Sequence, residues 1–106
     1  MKIKKHLIEY KDAKSLSSEL EFAIACDKVE GYEICRIRSS IDESSVKFIN
    51  ASVRILKTMK KDGVIQLYVL GSELGSEEKM ESVYLLNKYP ELAESDNSLE
   101  SVYIKF

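Results

Sequence analysis

No hairpin-type turn joins any two strand-like runs in this chain, because a helix-like run stands between each consecutive pair. That feature narrows the fold more than any other. Segments rich in β-forming residues at 3–10 (IKKHLIEY), 32–38 (YEICRIR), 64–70 (VIQLYVL) and 99–106 (LESVYIKF) alternate with helical periodicity at about 15–28, at 45–61, and from Ser76 to Pro90. Asp62-Gly63 is the only hairpin-like dipeptide, and it falls between a helix and a strand, where it reads as a helix C-cap. Strands separated by helices take right-handed crossovers within a mostly parallel sheet. The expectation is therefore a small three-layer α/β domain over residues 1–106, with four strands in βαβαβαβ order and a mostly parallel sheet. A ferredoxin-like α+β arrangement is the alternative, and the last strand is free to run antiparallel.

Within that frame the apolar patterns differ from strand to strand. Val64–Leu70 lacks alternation, which suits a strand covered on both faces and places it at the centre of the sheet. Residues 99–106 alternate, with Val102, Ile104 and Phe106 inward and Ser101, Tyr103 and Lys105 outward, which suits an edge strand. In YEICRIR, period two puts Cys35 and Ile37 on one face and Tyr32, Ile34, Arg36 and Arg38 on the other. The first helix turns Leu16, Leu20, Ala23 and Ile24 inward; Ser15 or Ser18 caps its start and Gly31 its end. In the second helix Val46, Ile49, Val53 and Leu56 keep a 3–4 spacing, and Gly63 closes it.

Composition removes several classes of function. A chain of 106 residues that is 44 % apolar and 32 % charged is ordinary for one globular domain with its own core. No apolar run approaches the roughly 18 residues of a membrane span, and the basic N-terminus lacks the apolar stretch of a signal peptide. The expected location is the cytoplasm, with no membrane partner. Cys26 and Cys35 are the only cysteines and read as reduced core residues. His6 is the only histidine, so the sequence shows no zinc-ligand spacing and no nucleophile–base pair, and no cofactor is expected. Lys47, Asn50, Arg54, Lys57 and Lys61 make a polar, mainly cationic stripe on the second helix. No aromatic residue interleaves it for base stacking, which disfavours nucleic acid.

Three stretches remain as candidate sites. Gly71, Ser72, Gly75 and Ser76 form a turn leading into a helix, the position where α/β sheets bind ligands. The turn matches no phosphate-binding motif, and Glu73, Glu77 and Glu78 oppose an anion there. Arg36 and Arg38 share one strand face, as an anion or partner site or as ion pairs with Glu33, Asp42 or Glu43. Phe48, Ile55 and Met59 widen the apolar face of helix 45–61 beyond what one core-facing stripe needs. Either other elements of the chain cover that width or a partner does.

Asp42-Glu43-Ser44-Ser45, the apolar helix after it and KKDGVIQLYVLG together resemble the middle of STAS domains, over residues 40–90. The resemblance implies a phospho-switch serine at Ser44 or Ser45. The chain departs from that family's pattern in an extra glutamate, in lacking a glycine after the serines, and in an early helix where strands belong.

Taken together, the sequence favours a non-enzymatic interaction module that self-associates, for instance as a homodimer, or binds and regulates another protein, as an inhibitor or immunity-type protein does. The alternative is a small-ligand or enzyme domain using the Gly71–Ser76 turn.

Overall fold

The computed structural model describes residues 3–41, 45–93 and 101–106. They form β1 (Ile3–Ile8), α1 (Ala13–Val29), β2 (Ile34–Ser39), α2 (Ser45–Lys61), β3 (Leu67–Leu70), α3 (Met80–Lys88) and β4 (Ser101–Lys105), with short 3-10 turns at Gly71–Glu73 and Pro90–Ala93. Among the described residues, no helix is long and apolar enough to cross a membrane.

The four strands make one sheet in the order β1-β2-β4-β3. β1 and β2 are parallel, with Ile3 opposite Ile34 and Ile8 opposite Ser39. β4 runs antiparallel to both its neighbours, facing Cys35 with Ile104 on one side and Tyr68 with the same residue on the other. The sheet is thus mixed, not mostly parallel. It is not ferredoxin-like either, since β1, β2 and β3 all point the same way. Residue pattern assigns a side chain to a face but carries no record of strand direction, so this could not be read from the pattern.

The expected centre and edge are exchanged. β3 is an edge strand of four residues, and β4 lies in the middle with all five residues buried. The apolar run at 64–70 misled because helical layers cover both faces even at the edge. Tyr68 and Leu70 pack into the core under α1 and α2, while Leu67 and Val69 pack under α3. Val64 and Ile65 precede the strand and belong to the turn out of α2. In β4, Ser101, Tyr103 and Lys105 look outward by composition yet lie beneath the α3 layer, with Tyr103 only 1 % exposed.

Two cores result, one on each side of the sheet. The larger joins Leu16, Leu20 and Ile24 of α1 and Phe48 and Leu56 of α2 to Cys35, Ile37, Val102 and Ile104. The smaller joins Leu74, Leu85, Tyr89 and Leu92 to Ile34, Val69 and Tyr103. Both crossovers from β1 to β2 and from β2 to β3 run the same way along the sheet. A constant right hand therefore puts α1 and α2 on one face.

α1 and α2 end in the same way. Gly31 and Gly63 take φ values of 86° and 78°, the left-handed region that costs glycine little. In α1 the amides of Gly31 and Tyr32 donate to the carbonyls of Lys28 and Asp27; in α2 those of Gly63 and Val64 donate to Lys60 and Met59. Both are Schellman motifs. The start of α1 differs from expectation: Asp12 is the cap, accepting from the Ser15 amide at 2.7 Å. α3 begins at Met80 rather than near Ser76, whose hydroxyl accepts from the Glu78 amide inside the preceding turn.

Candidate functional site

The width of α2 is spent largely within the chain. Phe48 is fully buried and meets Tyr10 edge-on, with ring centroids 6.4 Å apart. That placement removes it from the surface where an interface was expected, because α2 sits in the angle between the sheet and α1. Ile55 and Met59 have a different position. They line a groove of about 420 Å³ between α1 and α2, together with Val64 and the polar residues Ser17, Glu21, Arg54 and Asp62. The Schellman turn of α2 places Val64 beside Met59, whose carbonyl accepts from its amide. The Lys28 ammonium donates to the Val64 carbonyl, tying the ends of the two helices together at one end of the groove. A shallower depression continues past Arg54 and Ile55 to Tyr10, Ala13 and Lys47.

α1, which forms one wall of this groove, also carries apolar side chains on its solvent side. Phe22, one position after the groove residue Glu21, is 73 % exposed, and Val29 is 89 % exposed. The sequence reading passed over Phe22 because it followed the inward stripe of α1 and not its back.

A second cluster lies at the other side of α1. His6 of β1 points to the α1 face, as does Ile8 two residues on. Its Nε2 is 2.6 Å from Oδ2 of Asp27, a carboxylate only 2 % exposed. Cys35 of β2 lies fully buried beside them, and the potential donor atoms of the three residues lie within 4.8 Å of one another. Burial, and secondarily the Asp27 charge, push the Cys35 thiol far above its ordinary range, so it stays protonated. A buried neutral thiol is not an enzyme nucleophile. Spacing along the chain concealed this cluster because each donor sits on a different element. One signal was legible: Asp27 falls at the next inward position after Leu16, Leu20 and Ile24.

At the turn after β3, Gly71 is buried while Ser72 and Gly75 are exposed and Ser76 is half-buried. The adjoining hollow, about 160 Å³, is lined by Lys60, Tyr68, Val69, Glu73, Lys79 and Glu81. Its charges face one another: Lys79 and Glu73 are 3.1 Å apart and Lys60 and Glu81 3.7 Å. Burial, then Glu73 and Glu81, raise the pKa of the Tyr68 hydroxyl, and the hydrogen bond to Glu73 raises that of Lys79. The hollow is therefore an internally neutralised patch beside the turn.

Arg36 and Arg38 are half-buried on the α3 side of the sheet, opposite Tyr103 and Ser101, and both are engaged in interactions. Neither lines the groove or the hollow beside the turn. Ser45 starts α2 and is buried, whereas Asp42, Glu43 and Ser44 lie outside the described residues. Lys47, Asn50, Arg54, Lys57 and Lys61 are all exposed.

Comparison with protein-family models, with curated proteins and with solved structures found no match for this chain.

Proposed function

We propose that this protein is a non-enzymatic interaction module that pairs with a second copy of itself through the α1–α2 face. The observation that carries this reading is the exposed Phe22 on the solvent side of α1, the helix whose Ser17 and Glu21 wall a groove lined also by Ile55, Met59 and Val64. A two-fold axis across α1 sets each Phe22 over the partner's groove, making one self-complementary patch. The charges around the groove suit the same operation, since Glu21 and Asp62 are acidic and Arg54 is basic. Burying an aromatic side chain of this size contributes about 1.5–3 kcal/mol, and the dimer does so twice. The groove lining holds no histidine or cysteine.

Sedimentation over a wide concentration range tests the pairing. The expected result is a reversible monomer–dimer equilibrium that Phe22→Asp shifts to monomer by at least tenfold in Kd, with the circular dichroism spectrum unchanged. A wild-type chain that stays monomeric at every concentration overturns the proposal. So does a dimer indifferent to both Phe22→Asp and Arg54→Glu.

A further inference from the structure

The charge and chemistry of the His6–Asp27–Cys35 cluster call for something more than a helix-to-sheet contact. Asp27 is a carboxylate taken almost wholly out of water, and such groups are held by paired charge or by metal. Among the described residues its side chain meets an imidazole nitrogen, and a thiol lies within reach on a neighbouring strand. The three donors come from β1, α1 and β2, so the fold fixes their approach to a common point.

We infer that His6, Asp27 and Cys35 form a three-donor site for a divalent transition ion of the zinc class. One nitrogen, one carboxylate oxygen and one sulfur are the ligand types that zinc takes. Zinc–ligand distances of about 2.0–2.3 Å put tetrahedral donor atoms roughly 3.3–3.7 Å apart. The observed cluster, 2.6 Å between His6 and Asp27 and within 4.8 Å overall, brackets that separation. Small side-chain rotations convert the hydrogen-bonded cluster into a coordinated one. The ion replaces the His6–Asp27 hydrogen bond, whose proton passes to His6 Nδ1 or to solvent, and Cys35 loses its own proton to solvent as the metal–sulfur bond forms. A divalent ion then balances one carboxylate and one thiolate, leaving the buried site neutral. His6, 21 % exposed at the sheet edge, is the side of approach and leaves the fourth coordination position for water. This site is separate from the groove, and its fate does not depend on the dimer.

Cobalt(II) titration of the reduced, metal-free protein tests the site. The expected result is saturation at one ion per chain, with a thiolate-to-cobalt charge-transfer band and the visible bands of a tetrahedral ion, both removed by added zinc. Cys35→Ala abolishes the charge-transfer band, Cys26→Ser leaves it intact, and His6→Gln weakens binding at least tenfold. Wild-type protein that is folded yet gives no saturable band overturns the proposal without recourse to any variant. A band that survives in Cys35→Ala and disappears in Cys26→Ser overturns it equally.

Discussion

Asp12 holds the first turn of α1 with a single charged oxygen. The hydrogen bond from the Ser15 amide keeps its carboxyl below the ordinary carboxylate range, so the folded state favours the ionised form. The stabilisation is present above the pKa of the unfolded chain and is lost as pH falls through the depressed folded value. Thermal melts of wild type and Asp12→Ala should therefore differ at neutral pH and converge on acidification below the ordinary carboxylate range. Position 12 was hard to read because Ser15 and Ser18, three and six residues on, are equally good capping types. Gly31 and Gly63 were legible for the opposite reason: few residues other than glycine adopt the left-handed turn that closes those helices.

At the scale of elements, α2 and β4 show what apolar pattern can and cannot reveal. The span of α2 followed from its 3–4 spacing, and the excess width of its apolar face pointed to Ile55 and Met59, two of the residues that line the groove. β4 was misjudged because Ser101 and Lys105 look solvent-facing. Yet Lys105 is only 7 % exposed, its ammonium 5.8 Å from the centre of the Tyr89 ring. Long side chains with a charged tip can lie in a covered layer when an aromatic face receives the tip. Hydrogen exchange separates the two assignments. The amides of Val102, Tyr103 and Ile104 should exchange only through global opening, whereas β3 amides on the free edge should exchange faster through local opening. Equal protection of β3 and β4 would contradict the strand order.

The whole molecule depends on β4, which like its neighbours β2 and β3 contributes to both cores. Its Val102 and Ile104 enter the core of α1 and α2, and its Tyr103 enters that of α3. Damage to either core should therefore lower one common unfolding transition. Phe48→Ala on one side should cost about 3–5 kcal/mol and Leu85→Ala on the other about 2–5 kcal/mol. Because the two sites lie on opposite faces of the sheet, the costs should nearly add in the double variant. Calorimetry in which either variant splits the melt into two separate peaks would show the cores to be independent. Both candidate sites border the larger core: Met59 and Ile55 line the groove between its two helices, and Cys35 of the histidine cluster is one of its members.

A strand inserted between two earlier ones also fixes the order in which this molecule is completed. β1, β2 and β3 all leave the ribosome before residues 101–105, and until those arrive β2 and β3 stand apart across a slot roughly 10 Å wide, two strand spacings. Filling it joins Ile34 to Lys105 across most of the chain, the kind of non-local closure that slows folding. A chain in which β4 is displaced leaves that slot open, and the same segment of a neighbouring copy matches its register on both sides. A chain that folds at high local concentration is thereby exposed to strand exchange, a hazard set by topology and untouched by any change on the surface.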